Sequence, residues 1–252
     1  MEIAARKCVD ILGVKVDRVR MEQALTRIDL WVRELAKVYV CAAPVSTVVS
    51  AYEDPDYRAV VNGAGMVLPD GVPVVWSARR KGVKDIARVC GPDLMRKICL
   101  KSDGRPYRHF FYGAAPETLE KLCGNLERAN PQIVIAGRIS PEFHETAVPE
   151  SQDVVDRINA AKPDILWVGL GSPKQDVWMA MHRARLEVPV MIGVGAAFDF
   201  LAGHKRRAPR WMQNAGLEWL FRLWTEPCRL GRRYIIGNSK FIFYALRHSC
   251  LN

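Results

Sequence analysis

Hydrophobic positions along the chain fall into two alternating patterns. Short, nearly unbroken apolar runs occur at Val38 to Cys41, Gly65 to Leu68, His109 to Tyr112, Ile133 to Ala136, Ile165 to Val168 and Val188 to Val194. Between them, apolar residues recur every three or four positions. Ala24, Leu25, Ile28, Leu30, Trp31 and Leu35 do so within Arg20 to Ala36. Further periodic segments are Val45 to Asn62, interrupted at Pro55, then Val72 to Lys81, Pro92 to Leu100, Pro116 to Ala129, Ser151 to Ala161 and Gln175 to Leu186. Unbroken runs of this length suit strands buried on both faces, and the three-to-four spacing suits amphipathic helices. Cys8 to Val16 predicts a further short strand and turn. Strands alternating with helices predict an α/β fold with a mainly parallel sheet and flanking helices. No apolar run reaches membrane-spanning length; the longest candidate, Val188 to Gly203, carries Asp199 and three glycines.

The carboxyl ends of the predicted strands hold the candidate chemistry. Ile165 to Val168 runs directly into Gly169-Leu170-Gly171-Ser172-Pro173-Lys174-Gln175. Glycines there let backbone N–H groups approach a ligand, and Ser172-Pro173 predicts an N-cap followed by the first helical residue. Strand, glycine turn and helix start together can hold an anion at a parallel sheet's edge. The same residues also make an ordinary strand-to-helix turn. Asp70, in Pro69-Asp70-Gly71, ends another strand where its side chain can reach that edge, although a turn also selects Asp for backbone reasons. Asp199 follows the last strand and is equally suited to capping a helix.

Charge narrows the partners. The 252 residues carry a net charge of +10, which favours an anionic partner. The excess sits after Gly203, where Lys205, Arg206, Arg207, Arg210, Arg222, Arg229, Arg232, Arg233, Lys240 and Arg247 face only Glu218 and Glu226. The same stretch holds Trp211, Trp219 and Trp224, with Leu217, Leu220, Phe221 and Trp224 on one helical face. This predicts a core over 1–203 and a basic amphipathic appendage over 204–252. Arginine and tryptophan on such helices suit an anionic membrane surface, or else a helical cap with solvated charges. No nucleic-acid motif is present. The seven cysteines are scattered without a C-x-x-C pair and read as reduced thiols, and Met1 to Asp10 has no signal-peptide pattern. The five histidines lack ligand spacing. Asp54-Pro55-Asp56 falls inside a helical stretch and reads as helix-start chemistry, so no metal and no cofactor is expected.

Five motifs in order make the chain resemble the WecG/TagA/CpsF glycosyltransferases. They are Leu68 to Trp76, Arg88 to Met95, Val168 to Gln175, Gly193 to Asp199, and Arg207 to Met212 continuing through Gly216 to Trp219. The resemblance covers almost the whole chain and implies a Rossmann-like core with a C-terminal appendage that completes the site. It implies inverting transfer of a hexose or N-acetylhexosamine-type sugar, from a UDP-sugar to a polyprenyl-diphosphate-linked glycan. The setting would be cell-surface polysaccharide synthesis, with the enzyme peripheral on the cytoplasmic face of a bacterial inner membrane.

By the same resemblance, Asp70 matches the family's proposed catalytic residue and Gln175 a family active-site residue. Arg222, Arg229 and Arg232 match arginines of the appendage. Inverting transfer needs a base for the acceptor hydroxyl, the part given to Asp70, and cations for the departing diphosphate, the part given to Arg88 and the tail arginines. Gly113, Gly169 and Gly171 would border the nucleotide and Asp199 would accept from uracil or ribose. A homo-oligomer is left open. The sequence departs from the family at Ala42-Ala43-Pro44, where Thr-x-Asn is usual. That loss supports an alternative reading, a non-catalytic nucleotide-binding or scaffold member. A nicotinamide enzyme is disfavoured, since no Gly-x-Gly-x-x-Gly follows the first strand.

Overall fold

The computed structural model describes residues 6–101 and 106–249; the side chains of 210, 214, 227–230, 232–235, 246, 248 and 249 lie outside that description. The chain opens with an antiparallel hairpin, β1 (Cys8–Ile11) and β2 (Val14–Asp17). Only a strand and a turn were expected there. After α1 (Met21–Arg33) come β3 (Val38–Ala42), α2 (Val45–Glu53), α3 (Pro55–Asn62), β4 (Met66–Leu68), α4 (Val72–Arg80) and α5 (Gly91–Cys99). Next are β5 (Arg108–Gly113), α6 (Pro116–Ala129), β6 (Val134–Ile139), α7 (Gln152–Ala160), β7 (Ile165–Gly169), α8 (Lys174–His182), β8 (Val190–Gly193) and α9 (Ala197–Leu201). Three helices complete the chain: α10 (Arg210–Asn214), α11 (Glu218–Thr225) and α12 (Pro227–Ser249). Pro55 divides the helical segment as its sequence predicts. Asp54 caps the new helix by accepting from the N–H groups of Asp56 and Tyr57, both at 3.0 Å.

The main sheet has six strands in the order β4-β3-β8-β7-β5-β6, all parallel. Side chains alternate between two buried layers. Tyr39, Cys41, Leu166 and Val168 pack on one face with α2, α3, α4 and α8, whereas Val40, Ile165, Trp167 and Ile192 pack on the other with α1, α5, α6 and α9. The chain therefore leaves β3 towards one face and its neighbour β8 towards the opposite face. Such a divergence opens a crevice at the strands' carboxyl ends.

The edge strand β4 is anchored by the hairpin. Asp17 is fully buried, ion-paired to Arg6 at 2.7 Å and to Arg27 at 2.8 Å, and accepts from the Val67 N–H at 2.8 Å. An otherwise open sheet edge is thereby covered, and the strand that leads to Asp70 is fixed. At the other end of the chain, α12 lies on α2 and buries Phe241 in the first core layer.

Candidate active site

Asp70 follows β4 on a turn that enters α4 through Gly71, whose φ of 127° is closed to residues with a side chain. It lines a cleft of about 190 Å³ together with Pro44, Arg88, Phe200, Glu218 and Arg222. The walls come from the ends of β3 and β4, from α9 and from α11, so the crevice between β3 and β8 is roofed by the C-terminal helices. Among the described residues no hydrogen bond fixes the Asp70 carboxyl, which is pushed up to about 6 from 3.8. Burial is the main cause; Arg88 and Arg222 oppose it, while Glu218 and Asp93 reinforce it. A carboxylate tuned to that value, half-buried and without a partner, has the properties of a general base near neutral pH.

Three guanidinium groups converge beside it. Arg88 donates to Glu218. Arg207 grips Asp93 with both terminal nitrogens, the Nη2 contact being 3.3 Å, donates from Nη2 to Gln213 at 2.9 Å, and brings Nε to 3.6 Å from Glu218. Arg222 stacks over the Phe200 ring, 5.6 Å from its centroid, and its buried Nε has no partner. Burial by itself would raise the Asp93 carboxyl, but the Arg207 hydrogen bond and the Cys90 thiol hold it below the ordinary value. Three arginines thus face three carboxylates, Asp70, Asp93 and Glu218. A diphosphate entering this cluster gains its full attraction when one carboxylate gives up its arginine, and Glu218 on α11 is the one held by Arg88 at the cleft wall.

Asp70, Arg88 and Arg222 are therefore brought together, and the other sequence candidates among the described residues lie elsewhere. Gly113 and Gly169 are paired on neighbouring strands, so close that a Cβ on Gly113 would stand 2.8 Å from the Gly169 carbonyl carbon. A Cβ on Gly169 would meet the Phe198 ring at 2.6 Å. Packing of chain on chain accounts for both glycines. Gln175 is buried and clamps two loops, its Oε1 accepting from the N–H of Gly171 at 3.1 Å and of Gly195 at 2.9 Å, and its Nε2 donating to Ser172 at 3.1 Å. The N-cap of α8 is Pro173, with no side-chain cap, rather than Ser172. Asp199 lies not at a strand end but in the first turn of α9, because β8 stops at Gly193; there it pairs with Lys205 at 2.7 Å. Arg229 and Arg232 fall on α12, and their side chains lie outside the described residues. Ala42 is buried and Pro44 caps α2 without a side-chain bond, so neither of these two residues offers the cleft a side-chain donor, where Thr-x-Asn would offer two groups.

Sequence reasoning passed over Glu218 and Asp93 as site residues and took Arg207 only as one of the tail arginines. One signal was present, since Glu218 is one of just two acids among the basic residues of the tail. Among the described residues no group of three or more His, Cys, Asp or Glu side chains is arranged to hold a metal ion.

The model of the glycosyl transferase WecG/TagA/CpsF family matches residues 9–252. Three similar proteins carry the name N-acetylglucosaminyldiphosphoundecaprenol N-acetyl-beta-D-mannosaminyltransferase. One, from Bacillus spizizenii, is 34% identical over 198 residues, covering 79% of this chain and 74% of the relative. One from Bacillus subtilis is 31% identical, covering 73% and 70%. One from Staphylococcus aureus is 32% identical over 227 residues, covering 89% and 87%.

Proposed function

The chain belongs to the WecG/TagA/CpsF family of glycosyl transferases and is a hexosyltransferase of cell-envelope polymer synthesis, and from that premise we propose that it moves an N-acetylhexosamine-type sugar from a UDP-sugar to a polyprenyl-diphosphate-linked sugar, with inversion and without a metal ion. The relatives' names supply the acceptor class, N-acetylglucosamine on a diphosphate-linked polyprenol, and an N-acetylmannosaminyl group as the nearest model for the transferred sugar.

The observation that carries the reading is Asp70, unbonded and proton-retentive, on the wall of an arginine-lined cleft at the sheet's carboxyl edge. In its charged form Asp70 takes the proton of the acceptor hydroxyl as that oxygen attacks the anomeric carbon. Attack from the side opposite the leaving group inverts the centre, and the C–O bond to the nucleoside diphosphate breaks. Arg88 and Arg222, with Arg207 behind them, face the charge that builds on the departing phosphate. By the resemblance, Arg229 and Arg232 would add further cations.

A panel of UDP-sugars with a short-chain prenyl-diphosphate N-acetylglucosamine acceptor tests this. Product with a β linkage from an α-linked donor, formed in the presence of a chelator, is the expected result. No transfer with any donor, alongside intact UDP binding, favours the non-catalytic alternative, for which the loss of both polar groups at Ala42 and Pro44 is the specific observation.

A further inference from the structure

Beside the Asp70 cleft lies a larger groove of about 580 Å³, formed by α2, α3, the turn after β7 and α12. The two share Ser46 and Gly237, so a ligand can run from one into the other. The cleft alone is smaller than the roughly 300–1,000 Å³ of sites that enclose one drug-sized ligand. Two substrates must nevertheless meet at Asp70.

We propose that this groove, walled by Ser46, Thr47, Ser50, Tyr57 and Ser172, is the subsite for the acceptor's saccharide. The inference rests on the transfer reading above and adds which surface takes which substrate. Chemistry sorts them. The cleft has the guanidinium groups that a diphosphate requires. Among the described residues lining the groove, the charged side chain is Lys240, and it is already paired with Glu53 at 2.7 Å. What remains is a wall of hydroxyls, suited to an uncharged polyhydroxylated ring whose groups both donate and accept.

One of these hydroxyls has capacity to spare. Thr47 is 2% exposed and its Oγ1 has no hydrogen-bond partner. Buried hydroxyls are nearly always bonded, so an orphan facing a groove points to a missing polar ligand. The Tyr57 hydroxyl beside it donates to the buried Asp176 at 2.7 Å. At the rim Ile236 is 42% exposed, and Ile242 and Phe243 continue that apolar character along α12. A hydroxyl-lined groove with exposed apolar side chains of α12 at its rim offers surfaces for the two ends of a lipid-linked sugar, its ring and its prenyl chain.

The test uses two variants of the full chain. Ser50→Leu fills the groove, and Thr47→Val removes the orphan hydroxyl while keeping its shape. Saturation-transfer NMR with a short-chain prenyl-diphosphate N-acetylglucosamine measures the acceptor side, calorimetry with UDP the donor side, and thermal melts report folding. Acceptor affinity should fall about tenfold or more in Ser50→Leu and severalfold in Thr47→Val, with UDP affinity held within about twofold. The proposal is overturned if wild type fails to bind the probe, if both variants bind it as wild type does, or if UDP affinity falls in parallel. Thr47→Val, nearly isosteric, decides the matter should Ser50→Leu fail to fold. Probe binding that is lost in the variants, from a wild type that transfers no sugar, would leave the groove assigned and remove the transfer reading alone.

Discussion

Arg88 and Glu218 form an ion pair across 130 residues of sequence, and that pair ties the segment between α4 and α5 to α11. The guanidinium group best placed for a donor diphosphate is thus already occupied by a carboxylate from the C-terminal helices. Glu218 also approaches Arg207 and raises the Asp70 carboxyl. Replacing Glu218 by Gln should strengthen UDP binding roughly three- to tenfold, measured by calorimetry, because Arg88 loses its internal competitor. Arg88→Ala should weaken UDP binding by a similar or larger factor. If Glu218→Gln weakens UDP binding, the carboxylate positions Arg88 for the donor and does not compete with it.

Asp70 gives the pH dependence its sign. A base must be charged to take a proton, so kcat/KM should rise with pH and level off with a midpoint near the carboxyl value of about 6. Glu218→Gln removes a neighbour that raises this value, so the rise should move to lower pH. Arg88→Ala removes one that lowers it, so the rise should move to higher pH. Asp70→Asn should reduce kcat by about 10²–10⁴-fold with UDP affinity kept.

A second readout of Asp70 does not depend on activity. Its carboxyl holds a proton more tightly folded than unfolded, so ionisation opposes folding above about pH 6 and has no effect below 3.8. Asp70→Asn should therefore raise the melting temperature by a few degrees at pH 8 and leave it unchanged at pH 3.5. An equal shift at both pH values would mean that the carboxyl is not perturbed.

How far the sequence carried the argument differs from residue to residue. The strands and their order of helices were legible because buried parallel strands leave unbroken apolar runs, as Ile165 to Val168 does. The β1–β2 hairpin was less so: its two strands are four residues each, too short for a periodicity to show. Asp70 and Arg88 could be singled out from turn and motif. Gly113 and Gly169 carried a signal with two meanings, since a glycine that admits a ligand and one that admits a neighbouring strand look alike in sequence. Asp199 was placed at a strand end because Val194 to Phe198 continues the apolar run, yet Gly195, at φ 52°, turns the chain into α9. Partners such as Arg207 with Asp93, 114 residues apart, are set by tertiary packing and leave no local pattern.

Gln175 illustrates a residue whose effect should appear in stability. Its amide oxygen satisfies the N–H groups of Gly171 and Gly195, which belong to the two loops at the ends of β7 and β8. Gln175→Met keeps the volume but leaves both part-buried donors unpaired, at about 1–3 kcal/mol each. The unfolding free energy read from urea titration should fall correspondingly, by about 2–4 kcal/mol in total. A variant with wild-type stability and lost UDP binding would instead place the amide on the donor.

The C-terminal helices make the last prediction, which concerns the membrane. Among the described residues no helix is long and apolar enough to cross a bilayer. Yet Trp224 on α11 is 86% exposed and Phe243 on α12 is 60% exposed, both within the basic tail. Deleting everything after Gly203 is a poor test, because Phe241 belongs to the core and Tyr244 lies against Tyr52, with ring centroids 4.5 Å apart. Point changes separate the two roles. Trp224→Ser with Phe243→Ser should weaken binding to phosphatidylglycerol vesicles by about tenfold or more, since each aromatic ring loses roughly 1.5–3 kcal/mol of burial in the interface, and should leave the melting temperature unchanged. Phe241→Ser should do the opposite, destabilising the fold by about 3 kcal/mol or more through a cavity and a buried hydroxyl. Vesicle sedimentation that is unaffected by the first pair would show that these rings serve another surface, and that the lipid-linked acceptor reaches Asp70 without α11 and α12 touching the bilayer.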